Sequence, residues 1–117
     1  MKEAELKSAV EGYLQYGMNQ GKWYFDRLNS GEIVALFGES RRRIKLCREG
    51  TADYFVLKWW YPQGAPNKGE TIITFLELKS EKGRQRPEQM EFQKLVEGQG
   101  ADYYIIKSIE GLQRILE

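Results

Sequence analysis

The chain contains no histidine. That absence excludes Ser-His-Asp and Cys-His hydrolysis, His-ligated zinc and every nuclease whose general base is an imidazole. An enzyme built from these residues would take its proton transfers and metal ligands from carboxylates, Lys, Tyr, backbone or water. Cysteine is nearly missing as well. Cys47 stands alone, which rules out an internal disulfide or a multi-thiolate site and fits a reducing compartment. No apolar run approaches the length of a membrane span, and MKEAELKSAV is charged where a signal peptide would be apolar. A cytoplasmic, intracellular protein with no membrane partner is the expectation. Nor is there an excess of charge: 18 basic against 17 acidic side chains leave +1, which makes no global case for nucleic acid.

What the chain does have is enough length, 117 residues, for one domain. A domain of that size removes roughly two thirds of its extended-chain surface from water. It also has local charge. SRRRIKLCR (Ser40 to Arg48) holds five cations and no anion, and KSEKGRQR (Lys79 to Arg86) holds four cations against Glu81. Either run alone reads as a solvated basic loop. Flanking one candidate site, they read as a phosphate-facing surface, with Arg41, Arg42, Arg43, Lys45, Arg48, Lys82, Arg84 and Arg86 as candidate DNA contacts.

Periodicity supplies the elements. KEAELKSAVEGYLQYG places Leu6, Val10, Tyr13 and Leu14 on one helical face and predicts a helix ending at Gly17. KWYFDRLNSG reads as a strand closing on an Asn-Ser-Gly turn. IVALF is a short strand or a turn of helix, and the arginine run beyond it is expected to be loop. DYFVLKWWY and ETIITFLELK are strand-like, and PQGAPNKG between them has the prolines and glycines of a connection. Together they predict a long antiparallel hairpin. RPEQMEFQKLVEGQG follows as a helix with Pro87 near its start and Phe92, Leu95 and Val96 on one face. DYYIIK is a last strand, and Ser108 can cap a short helix that turns Ile109, Leu112 and Leu116 inward.

The order α, β, β, β, α, β, α predicts a single α/β domain with a mixed sheet flanked by helices. In it the Tyr103 to Lys107 strand runs parallel to the Thr71 to Lys79 strand. GMNQGKW is one residue short of a phosphate-loop spacing and has Trp23 where Ser or Thr should bind magnesium, so no nucleotide cofactor is expected.

Asp53 and Glu77 lie 24 positions apart about Ala65, the middle of the connection. If the strands pair about that centre, the two carboxylates become cross-strand neighbours, and alternation puts Lys79 on the face of Glu77. Two ionised carboxylates about 4 Å apart repel by roughly 4 kcal/mol at an effective dielectric near 20. A hard divalent cation, magnesium or manganese, is the natural compensation for paired oxygen ligands. Lys79 could orient or deprotonate a water there and steady developing charge. Taken singly, Glu-x-Lys at a strand end is an exposed ion pair and Asp53 a turn residue.

GTADYF, ITFLELKS, a basic turn and RPEQMEF, in that order, resemble the signature of the PD-(D/E)XK nucleases, specifically the VRR-NUC (virus-type replication-repair nuclease) domain. The likeness runs over nearly the whole chain. It implies a restriction-endonuclease-like αβββαβ core and a metal-dependent endonuclease acting on DNA in replication, recombination or repair. Asp53 and Glu77 match the metal-binding carboxylates, the backbone carbonyl of Leu78 a further ligand, and Lys79 the catalytic lysine. Gln89 matches the family's glutamine, orienting Lys79 or the water. Glu3 matches the first-helix glutamate, with Glu5 as the fallback. Ala52 departs from the pattern, standing where the name-giving proline is common. Stand-alone members resemble Holliday-junction resolvases, which implies branched or four-way-junction DNA as substrate and a homodimer. Trp59, Trp60 and Tyr61 could serve a dimer contact or pack in the core. The alternative is a non-catalytic DNA-binding module or accessory subunit with the same fold.

Overall fold

A computed structural model describes residues 2–29 and 32–117, apart from the side chains of Glu32, Ile33 and Lys45. Helix α1 (Glu3–Asn19) buries Leu6, Val10 and Leu14, the stripe its spacing predicts. It runs two residues past Gly17 because Gly17 is packing surface and not a stop. A Cβ there would come within 2.0 Å of the Trp23 ring, which lies on the helix and donates from Nε1 to the Leu14 carbonyl. The chain leaves the helix at Gly21, in the left-handed region at φ 75°.

Strand β1 (Tyr24–Arg27) follows; Ser30 and Gly31 of the expected turn lie outside the described residues. The next segment decides one open alternative and departs from one expectation. IVALF is a strand, β2 (Glu32–Phe37), and the arginine run is a strand too, β3 (Ser40–Lys45), not a loop. They pair only with each other, from Glu32 opposite Lys45 to Phe37 opposite Ser40, across a turn at Gly38. Consecutive arginines hid this strand, since local polarity argues for loop while cross-strand pairing needs only backbone.

The main sheet has the order β1-β4-β5-β6. Strands β4 (Tyr54–Trp60) and β5 (Glu70–Leu78) form the long hairpin, joined through a short 3-10 turn at Pro66–Lys68. Their register runs from Trp60 opposite Glu70 to Tyr54 opposite Leu76, so it is centred on Ala65 as expected. Helix α2 (Pro87–Gly98) then crosses over to β6 (Asp102–Ile106), which lies parallel to β5 and makes the sheet mixed. Helix α3 (Ile109–Leu116) closes the chain, its Ser108 cap accepting from the Gly111 amide at 3.1 Å.

Strand alternation divides the interior. Tyr54, Val56, Leu76, Leu78 and Ile106 point to the face covered by α1 and α3 and are buried with Leu6, Val10, Leu14, Leu112 and Leu116. On the opposite face Phe75 meets Phe92 of α2 edge-on, ring centres 5.2 Å apart, and Tyr103 lies beside it. Helix α2 is the looser layer: of the three residues expected to face inward, Phe92 and Val96 are half-buried and Leu95 is exposed. Trp59, Trp60 and Tyr61 are all exposed, so none serves the core.

The result is a small domain of mixed α/β type with three α-helices among the described residues. Its radius of gyration, 16.4 Å, exceeds the about 13 Å of a compact chain this long. The β2–β3 hairpin projects from the body, touching no other helix or strand among the described residues.

Candidate metal-binding acid pair

The β4–β5 register ends at Tyr54 opposite Leu76, and so brings Asp53, the residue before, beside Glu77, the residue after. Backbone bonds hold Asp53 on both sides: its amide donates to the Leu76 carbonyl at 3.0 Å, and its carbonyl accepts from the Leu28 amide at 2.8 Å. Its side chain turns toward β5, where Oδ2 accepts from the Leu78 amide at 2.7 Å. The loop leading in is fixed by Gly50, at φ 89° and packed so closely on α2 that a Cβ would sit 2.4 Å from the Glu88 carbonyl oxygen. That contact ties the Asp53 loop to the start of α2, where Gln89 stands.

Glu77 is 3% exposed. Gln89, also buried, donates from Nε2 to Glu77 Oε2 at 3.1 Å, while its Oε1 accepts from the Arg86 amide at 2.8 Å at the helix start. Both ends of the Gln89 amide are therefore engaged with Glu77 and Arg86; of the two partners the resemblance implies, Lys79 or a water, Lys79 is not bonded to it. Glu77 Oε1 is buried and has no hydrogen-bond partner. Loss of water first, then the adjacent Asp53 carboxylate, push the Glu77 proton affinity up to about 8, while Lys79 and Arg86 pull it the other way. Burial likewise raises the nearby Tyr103 phenol to about 12; its hydroxyl receives a bond from Gln85 Nε2 at 3.1 Å.

Around the acids the surface is cationic. Lys79, half-buried, stands two residues after Glu77 just past the end of β5, and Arg86 is exposed at the entry to α2; the charge of each is felt at Glu77. A cavity of about 310 Å³ is lined by Glu3, Ala4, Lys7, Asp53 and Leu78. This brings Glu3 to the site and leaves Glu5 outside it. A second cavity, about 210 Å³, continues past Asp53 between Lys7, Arg27, Asn29 and Thr51. Sequence reasoning missed Lys7 and Arg27. Lys7 was within reach, one helical turn from Glu3 on the same face; Arg27 enters only through its pairing with Tyr54. A further cavity, about 610 Å³, lies at the other end of β5 against Leu95 and Val96 and shares no residue with the acid pair.

The candidate DNA contacts fall in two places. Arg41, Arg42 and Arg43 are exposed on β3, and Arg48 is exposed at the hairpin's return; the Lys45 side chain lies outside what is described. Lys82 and Arg84 are exposed on the turn between β5 and α2, with Arg86 at its end.

The chain matches no known family model and no curated protein sequence. Among the described residues no three His, Cys, Asp or Glu side chains gather as a metal-holding group. Asp53 and Glu77 suit a hard cation by their chemistry: both offer only oxygen, and the orphaned Glu77 Oε1 is a buried acceptor that a cation would satisfy.

Proposed function

We propose that this chain is a magnesium- or manganese-dependent DNA endonuclease with a restriction-endonuclease-like core of the VRR-NUC kind. One observation carries the reading. Glu77 is buried beside Asp53 with Oε1 unsatisfied, an arrangement that is costly for the fold and useful to a cation. The order α1, β1, β4, β5, α2, β6, with the β2–β3 hairpin inserted, supports the αβββαβ core. Among the described residues no helix is long and apolar enough to cross a membrane.

In this reading Asp53, Glu77 and the Leu78 carbonyl hold the cation, and Leu78 and Asp53 line one open cavity where a phosphate can reach them. The bound cation supplies positive charge to a phosphate oxygen and makes a neighbouring water more acidic. Gln89 fixes the Glu77 carboxylate through Oε2, which leaves Oε1 without a protein donor and open to a cation. Lys79 orients the attacking water and steadies the charge that grows on phosphorus-bound oxygen as the new P–O bond forms and the old ester bond breaks. Glu3 and Lys7 border the cavity from α1, placed to bind or orient water and phosphate. Arg86, Lys82 and Arg84 take the flanking backbone. Branched DNA and a homodimer belong to the proposal as well.

The test uses purified protein on plasmid, forked and four-way-junction DNA, with cation or chelator, beside Glu77→Ala and Lys79→Ala. Cation-dependent cleavage lost in both variants is expected. Equal cleavage by all three proteins defeats the reading. The rival, a non-catalytic DNA-binding module, draws on the same carboxyls: a Glu77 that keeps its proton carries no charge to repel Asp53 and needs no metal. DNA affinity indifferent to cation and to Glu77→Ala, with no cleavage, would favour it.

A further inference from the structure

The β2–β3 hairpin stands off the body with apolar side chains in water: Val34 is 62% exposed, Leu36 69% and Phe37 55%. A lone two-stranded ribbon is marginal in water, so this one is shaped for a surface it meets elsewhere. Its register puts Arg43 opposite Val34 and Arg41 opposite Leu36 on one face, and Arg42 opposite Ala35 on the other. Arg42 lies over the Phe37 ring, 5.5 Å from its centre, which holds the guanidinium off the strand. Arginines therefore project from both faces of one strand.

The ribbon is also rooted at the acid pair. The Cys47 amide donates to the Asn29 carbonyl at 2.7 Å across its base, and Leu28, one residue before, donates to the Asp53 carbonyl. Asn29, Thr51 and Asp53 line one cavity.

We infer that the β2–β3 hairpin is a duplex-gripping ribbon that lies in the groove of double-stranded DNA beside the acid pair, with Arg41, Arg42 and Arg43 on the phosphates. The inference rests on the DNA-directed reading and adds the substrate's form. The major groove, about 12 Å wide, admits a two-stranded ribbon, and arginines on both faces meet both phosphate walls. A second copy of the chain is the poorer occupant, because two ribbons face to face would oppose arginine to arginine. Single-stranded DNA fits less well too, since base stacking needs aromatic platforms and the ribbon offers Phe37 alone. Six-residue strands extend about 20 Å. At about 3.4 Å per pair the grip covers roughly six base pairs.

The experiment is anisotropy binding in chelator, from 50 to 200 mM salt, on duplexes of increasing length and on one of their single strands. Wild type is compared with the Arg41→Ala/Arg42→Ala/Arg43→Ala variant and its triple-lysine counterpart, each checked for folding by urea unfolding. The expected result is a duplex preference that the triple alanine variant loses. Its log-log salt slope should be shallower by about 2 to 3, at roughly 0.9 per phosphate contact, and the lysine variant should keep the wild-type slope. If the alanine variant does not fold, Arg42→Glu is read in its place, and a tenfold or greater loss on duplex is expected. Unchanged duplex affinity and slope, an equal loss on single strands, or a change in sedimenting mass without a change in DNA affinity would overturn the inference. Because cation is absent, a protein that never cleaves can still display the ribbon's grip, and an active nuclease can still fail this test.

Discussion

Glu77 should make this fold less stable as the solution becomes more alkaline. Its carboxyl holds its proton up to about 8 in the folded chain, against 4.5 ordinarily, because it has lost water and faces Asp53. Below the ordinary value both folded and unfolded chains are protonated there, and the favourable contribution is whole. Between that value and about 8 the unfolded chain has released a proton that the folded chain retains, so stability falls as pH rises. The slope is at most about 1.4 kcal/mol per pH unit, and solvent and relaxation of the pair will reduce it. Repulsion of roughly 4 kcal/mol between two carboxylates about 4 Å apart marks the scale on which this can act. Urea unfolding in chelator from pH 5 to 9 is the assay. Wild type should lose stability across that window, and Glu77→Gln should flatten the curve and exceed wild type at pH 8 to 9, since an amide keeps an acceptor for Gln89 without the charge. Saturating manganese should restore wild type at the alkaline end and do nothing for the variant. A wild-type curve that is flat from pH 6 to 8, or a variant that is the less stable protein at pH 9, would refute this account of Glu77.

Gln89→Ala removes the donor to Glu77 Oε2 and frees the Arg86 amide, and should cost about 1 to 3 kcal/mol in urea unfolding. Gly50→Ala, strained at φ 89° and pressed on the Glu88 carbonyl, should cost about 2 kcal/mol or more, whereas Gly38→Ala at the open ribbon turn should cost only about 1 to 2 by its backbone conformation. Denaturation midpoints of the two variants give the comparison. Leu14→Ala, in the fully buried contact between α1 and the sheet, should cost about 2 to 5 kcal/mol and lower the thermal midpoint accordingly.

How far the chain could be read in advance depends on the range of the forces involved. The apolar stripe of α1, the Ser108 cap and the alternation along β4 and β5 are local patterns, and each appears where the spacing places it. The helix end was misread at Gly17 because that glycine answers to Trp23, a partner beyond the helix. The loop expected at Arg41 to Arg43 is a strand because β2 lies beside it, and three like charges are tolerated where the ribbon stands in water.

For the candidate site, the sequence alone determined that the hairpin would be centred on Ala65 and bring the strand ends near Asp53 and Glu77 together, because hairpin register is arithmetic once the connection is located. Only the tertiary structure decided that Glu77 is sealed from water with one oxygen unsatisfied, that Gln89 donates to its other oxygen, and that Lys7 and Arg27 stand at the opening beside Asp53. Burial, hydrogen-bond choice and local field are properties of what surrounds a side chain. Those surroundings come from α1, α2 and β1, segments far away along the chain, so the spacing of residues 53, 77 and 79 could not contain them.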